Sequence, residues 1–220
     1  SDLLSFQINY NKRNIKATWI IALVIVVNFL LEEYFGGSQN SAVLVRMGAN
    51  VSAKVLEGEA YRLFSSVFLH AGWLHVLFNT YVLFALGGFF NRILGESRYV
   101  STMLFSGLCG SLASVFLGKS GISVGASGAI WGIFGASLAL SIFKTPLLPE
   151  PVRLSLRRVT LINLAINLGI SFLPMIDMWA HIGGGVGGFL MGLLIVLLSQ
   201  NQNTYRMSSY FFRVLSLVLI

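Results

Sequence analysis

The sequence predicts an all-α protein, a polytopic membrane bundle with a six-helix core and a possible partial seventh helix. Three observations carry that prediction. Of the 220 residues, 55% are hydrophobic and only 10% are charged, against roughly 25% charged in soluble domains. The apolar residues are gathered into runs approaching the ~20 residues that a helix needs to cross a bilayer. The basic residues stand between these runs, near their ends, so the net charge of +7 reads as a topology signal and not as a nucleic-acid footprint.

Residues 1–16 are polar, carry Lys12, Arg13 and Lys16, and do not resemble a cleavable signal peptide. They are expected in the cytoplasm. The chain begins without Met, so a trimmed or engineered start is expected. A first span covers 17–34 and closes on Glu32 and Glu33. Residues 36–69 make a connection far longer than usual between helices. Its mixed pattern predicts short amphipathic pieces on or partly in the outer face. The second span is 72–90 and the third 99–117, with Arg92, Glu96 and Arg98 in the inner loop between them. A glycine-rich outer loop, 118–125, leads to the fourth span, 127–143. A proline-broken basic loop from Lys144 to Arg158 precedes the fifth span, 159–173. A tight turn, 174–178, leads to the sixth span, 179–198. Residues 199–220 read as a tail or a truncated seventh helix, because their apolar stretch is interrupted by Arg213.

Counting Lys and Arg tests this arrangement. The inner side receives Lys12, Arg13, Lys16, Arg92, Arg98, Lys144, Arg153, Arg157, Arg158 and Arg206; the outer side receives Arg46, Lys54, Arg62 and Lys119. The excess predicts both termini of a six-span core inside. The single Cys109 lies in an apolar run, where its ordinary role is packing, and it has no second cysteine to pair with.

Strongly polar groups inside a membrane are expensive and need a reason. His70, His75 and His181 all fall at the outward ends of spans two and six, and Ser127 opens span four at the same level. His75 and Asn79 are four apart and share a helix face. Gly184, Gly188 and Gly192 follow His181 close to its face, and Gly128, Gly132, Gly135 and Ala136 follow Ser127. Two such helices pack backbone to backbone, which brings His181 within reach of Ser127 as a general base needs. The helix start adds unpaired N–H groups suited to developing negative charge. Three readings follow: a Ser–His hydrolase, a three-histidine metal site, and polar groups that only cap and glue the bundle. The metal reading is the weaker chemically, lacking a carboxylate, a second cysteine or an H-E-x-x-H pattern. Asp177, four residues before His181, is expected to cap span six and not to complete a triad.

The stretch His70-Ala71-Gly72-Trp73-Leu74-His75-Val76-Leu77-Phe78-Asn79 resembles the H-x4-H-x3-N motif of rhomboid intramembrane serine proteases. Gly125-Ala126-Ser127-Gly128 resembles their G-x-S-G motif, and Ala180-His181 with Gly184 and Gly188 resembles their A-H-x-x-G-x-x-x-G helix. The three stand in the family's order on spans two, four and six. The resemblance implies Ser127 as nucleophile and His181 as base, a dyad without an acid. It implies His75, Asn79 and the Ser127 and Ala126 backbone N–H groups as oxyanion donors. It further implies a structural role for His70, loop shaping by Gly125, a ring at Trp131 under the histidine, and an anchoring role for Arg62. Tyr61 replaces a usual Trp, Trp131 a more typical Phe or Tyr, and Asn91 a frequent Glu, the last of which bears on anchoring of the inner loop.

The activity so implied is peptide hydrolysis in or near the transmembrane segment of single-pass membrane proteins. It needs no cofactor or metal; the partners are transmembrane substrates and lipid, with no nucleic acid. The expected location is the plasma (cell inner) membrane, with the site opening outward. The alternative is a non-catalytic rhomboid-like protein that binds transmembrane clients, although such relatives typically lack the Ser or His.

Overall fold

The computed structural model describes residues 2–118, 121–173 and 176–219. Lys119 of the outward basic set and Pro174 and Met175 of the predicted turn lie outside them. The described chain is helical, as the composition predicts. Helix α1, Asp2–Lys12, is followed by α2, Lys16–Tyr34. The long connection folds into α3, Ser41–Arg46, strand β1, Asn50–Val51, α4, Ser52–Leu56, and α5, Arg62–Ser65, which runs into a tighter turn at Ser66–Phe68. The second long helix, Trp73–Leu94, consists of α6, Trp73–Val82, a wider turn at Leu83–Gly87, and α7, Gly88–Leu94. Then come α8, Glu96–Leu117, strand β2, Ile122–Ser123, and α9, Ser127–Ile142. The last three are α10, Glu150–Ser171, α11, Met178–Ser199, and α12, Gln202–Val218.

Among the described residues, four helices are long and apolar enough to cross a bilayer: α2, the Trp73–Leu94 helix, α8 and α11. At their core α9 packs most closely on α11, and both pack on α8. Every α9 residue except Ser127, Leu138 and Ile142 is buried, so α9 is wrapped by protein and not by lipid. Small residues make this packing possible. A methyl group on Gly184 or Gly188 would overlap the carbonyl oxygen of Gly128 or Gly132, and one on Gly110 would meet the Ala180 oxygen at 2.6 Å. Leu74, Leu77, Phe78 and Tyr81 point outward from α6, as a lipid-facing surface requires.

Polar contacts tie the rest to this core. Asn91 Oδ1 accepts from both the N–H and the hydroxyl of Thr18 at 3.2 Å, so Asn91 itself joins α7 to the first turn of α2. Arg13 donates to the carbonyls of Arg92 and Ile93 at the end of α7, where a cation also complements the helix dipole. In the long connection, buried Arg62 donates to the Val45 and Ala49 carbonyls at 2.7 and 3.0 Å and pairs with Glu59 at 2.6 Å. That guanidinium, first of all by hydrogen bonding, holds the Glu59 carboxyl below its ordinary pKa. β1 pairs antiparallel with β2, Asn50 opposite Ser123 and Val51 opposite Ile122, and this links the connection to the loop before Ser127.

One element differs from the sequence reading. Helix α10 starts at Glu150, not near Val159, because Pro151 occupies its first turn, where no backbone donor is needed. Arg153 and Arg157 then reach the Ser141 carbonyl near the end of α9. The final stretch is one helix, α12, in which Arg98 contacts the Tyr205 carbonyl and Ser208 while Ser101 donates to the Phe212 carbonyl at 2.7 Å. Its Met207, Tyr210, Phe211, Val214 and Leu217 face outward, the reverse of a helix in water.

Candidate active site

Ser127 is the first residue of α9, and the first intrahelical bond runs from the Ile130 N–H to the Ala126 carbonyl at 2.9 Å. The N–H groups of Ser127, Gly128 and Ala129 therefore precede the helical ladder. The chain enters through Gly125, whose φ of +122° suits glycine and whose N–H donates to the Ser66 carbonyl at 2.9 Å. A Cβ at Gly125 would stand 2.6 Å from His75 Cε1 and 3.5 Å from Asn79 Nδ2. The two α6 side chains thus face the loop immediately before Ser127. Asn79 is buried, and its Nδ2 has no hydrogen-bond partner among the described residues. A buried donor left unpaired costs stability, and it lies where an anion at the start of α9 would be met.

His70 is fully buried behind this face, its ring edge-on to His75 with centroids 5.0 Å apart. Burial first, then the neighbouring His75, push its pKa down to about 3, so the ring is neutral. Its Nε2 accepts from the Ala126 N–H at 3.4 Å, and its backbone N–H donates to Glu32 Oε1 at 3.0 Å. The first contact engages the Ala126 N–H, which the sequence motifs place among the oxyanion donors. Glu32, completely buried near the C-terminal end of α2, was not singled out by the sequence; its pairing with Glu33 reads there as a helix end.

Across the site, the His181 ring stacks on Trp131 with centroids 5.1 Å apart and planes 18° apart. Trp131 lies one turn below Ser127 on α9, and Ala180 and Gly184, on either side of His181, pack against Gly128. His181 Nδ1 is 2.6 Å from the Ser171 hydroxyl of α10, another group the sequence did not mark. Asp177 caps α11, accepting the Ala180 N–H at 3.0 Å and bonding the Ser114 hydroxyl. Arg62 stays in the long connection between α2 and α6. Among the described residues, no three His, Cys, Asp or Glu side chains are grouped to hold a metal ion.

The fold brings His75 and Asn79 to the loop before Ser127 and stacks His181 on Trp131, one turn along the helix that Ser127 opens, and comparison with known proteins decides the family. The model of the Rhomboid domain matches residues 57–198. The chain belongs to the rhomboid family. Rhomboid protease GluP of Bacillus subtilis (strain 168) is 37% identical over 169 residues, covering 77% of this chain and 32% of that protein. RHOMBOID-like protein 1 of Arabidopsis thaliana is 38% identical over 162 residues, 73% of this chain and 41% of the relative. Putative rhomboid protease YdcA of Bacillus subtilis (strain 168) is 33% identical over 182 residues, 80% of this chain and 88% of the relative. This rhomboid thus spans less than half the length of the first two relatives and most of the third. It is an integral, multi-pass membrane protein.

Proposed function

We propose that this rhomboid is an intramembrane serine endopeptidase that cleaves single-pass membrane proteins in or near their transmembrane segment, with Ser127 as nucleophile and His181 as general base. The observation that carries the proposal is the His181–Trp131 stack one turn from Ser127, on two helices whose glycines let their backbones touch. The names of two relatives, rhomboid proteases, support the same reaction class.

In this mechanism His181 Nε2 takes the Ser127 hydroxyl proton as Oγ attacks the scissile carbonyl carbon. The carbonyl oxygen becomes an oxyanion. Asn79 Nδ2, the Ser127 N–H and His75 receive it, each such donor contributing about 3–4 kcal/mol in the transition state. The Ala126 N–H, held by His70 Nε2, is left out of the set. The C–N bond then breaks, the imidazolium gives its proton to the departing nitrogen, and an acyl-enzyme remains. His181 next takes a proton from water, which adds to the acyl carbon and releases the acid, returning the proton to Ser127. His70 and Gly125 keep the loop in shape, and Arg62 holds the outer connection. The substrates are transmembrane proteins. The basic-residue distribution supports an inward N-terminus and a site open to the outside of the plasma (cell inner) membrane.

The test is labelling by a fluorophosphonate, together with cleavage of a reporter span, in wild type, Ser127→Ala and His181→Ala. Wild type is expected to label and cleave, and both variants to do neither. A well-folded wild type that neither labels nor cleaves would favour the client-binding alternative.

A further inference from the structure

We propose that Ser171 is a positioning residue for His181: it fixes the tautomer and the in-plane orientation of the ring, so that Nε2 is presented unprotonated to Ser127. The inference rests on the serine-protease reading above. Ser171 ends α10 and is buried, while Ile170, Phe172 and Leu173 around it are exposed. Its Oγ lies 2.7 Å from the Asn167 carbonyl oxygen and 2.6 Å from His181 Nδ1.

A carbonyl oxygen only accepts, so a 2.7 Å oxygen–oxygen contact requires the serine hydrogen between them. A hydroxyl has one hydrogen. Toward His181 the serine therefore offers a lone pair, and the proton in that contact belongs to Nδ1. A neutral imidazole carries one N–H, so its Nε2 is left with a lone pair. The order is His181 Nδ1–H to Ser171 Oγ–H to the Asn167 carbonyl.

Ring geometry makes the second point. Stacking on Trp131 sets the plane of the imidazole but does not choose which edge faces Ser127. The bond to Ser171 chooses it. The nearby carboxylate is engaged elsewhere, since both Asp177 oxygens are used by the Ala180 N–H and the Ser114 hydroxyl. A neutral hydroxyl backed by a carbonyl thus takes the orienting place that an acid fills in a triad. The bond also ties the outer end of α10 to α11, as Arg157 ties its inner end to α9.

The test uses the full chain with Ser171→Ala and Ser171→Thr. In a helix, threonine can still bond the carbonyl four residues back, so it keeps the relay. Three quantities are read: kcat and KM on a reporter span, the rate of fluorophosphonate labelling, and the imidazole 15N shifts of His181, assigned with His70 and His75 variants. Ser171→Ala is expected to lower kcat and the labelling rate about 10- to 100-fold with KM little changed. Ser171→Thr is expected to restore both, and the 15N shifts to report Nδ1–H in wild type. Unchanged kcat in Ser171→Ala, a loss that threonine does not restore, or an Nε2–H tautomer in wild type overturns the inference. If wild type labels and Ser127→Ala does not while Ser171→Ala remains fully active, this inference alone fails. If wild type proves inert, the reaction reading fails, and the 15N shifts still decide the tautomer.

Discussion

Asn79 is where a stability defect and a reaction requirement coincide. Its buried Nδ2 has no partner among the described residues, and a buried donor without an acceptor costs stability. The proposed oxyanion is such an acceptor. Asn79→Leu, similar in volume and apolar, is therefore expected to move two quantities in opposite senses. Its kcat should fall about 10²- to 10³-fold, the loss of one oxyanion donor, while its thermal midpoint should stay level or rise. Activity retained at the wild-type level would remove Asn79 from the mechanism. Residues of this kind were legible in the sequence because a polar side chain in an apolar run asks for a reason. Ser171 and Glu32 were not. A serine is tolerated on either face of a membrane helix, and nothing local says that this one is buried against His181. Glu32 reads with Glu33 as the polar end of a span, and only the fold shows one of the two turned inward to the His70 N–H.

At the scale of elements, the glycines of α9 and α11 decide how close the proposed dyad sits. A methyl on Gly184 would overlap the Gly128 carbonyl, so the helices must part, and the residues they carry apart are Ser127 and His181. Gly184→Ala is expected to lose stability by about 1–3 kcal/mol, as overpacking does, and to lose activity with it. At Gly169, on α10, a methyl group would have no neighbour within 4 Å among the described residues. Gly169→Ala should be neutral or stabilise by up to about 1 kcal/mol, with activity kept. Thermal unfolding in detergent beside reporter cleavage measures both, and equal effects at the two sites would contradict the packing argument. Helix periodicity and small-residue spacing made these interfaces readable beforehand. The start of α10 was misread because a proline was weighed as a breaker, whereas in a first turn it is compatible with the helix. The β1–β2 pairing and the wide turn at Leu83–Gly87 involve too few residues to leave a periodic pattern.

The whole molecule turns on a helix too short for its surroundings. With 16 residues at 1.5 Å each, α9 is about 24 Å long, against roughly 30 Å of hydrocarbon. A short central helix wrapped by α8 and α11 meets no lipid penalty, and the proposed reaction requires its first residue, Ser127, to lie recessed below one membrane boundary. Water must enter from that side, and the connection that folds over it, from α3 to α5, belongs to the same side. The basic residues predict that this side is the outer one. Single cysteines test the orientation, with Cys109→Ala as background; Cys109 sits among helices α8 and α11 beside Gly187 and serves as a small packing group. Glu57→Cys, exposed in the outer connection, is expected to react with a membrane-impermeant maleimide added to intact cells. Lys144→Cys, exposed after α9, is expected to react only after the membrane is opened. The reverse pattern would place the mouth above Ser127 on the inner side, and substrates would then have to present their cleavable segment from the cytoplasm.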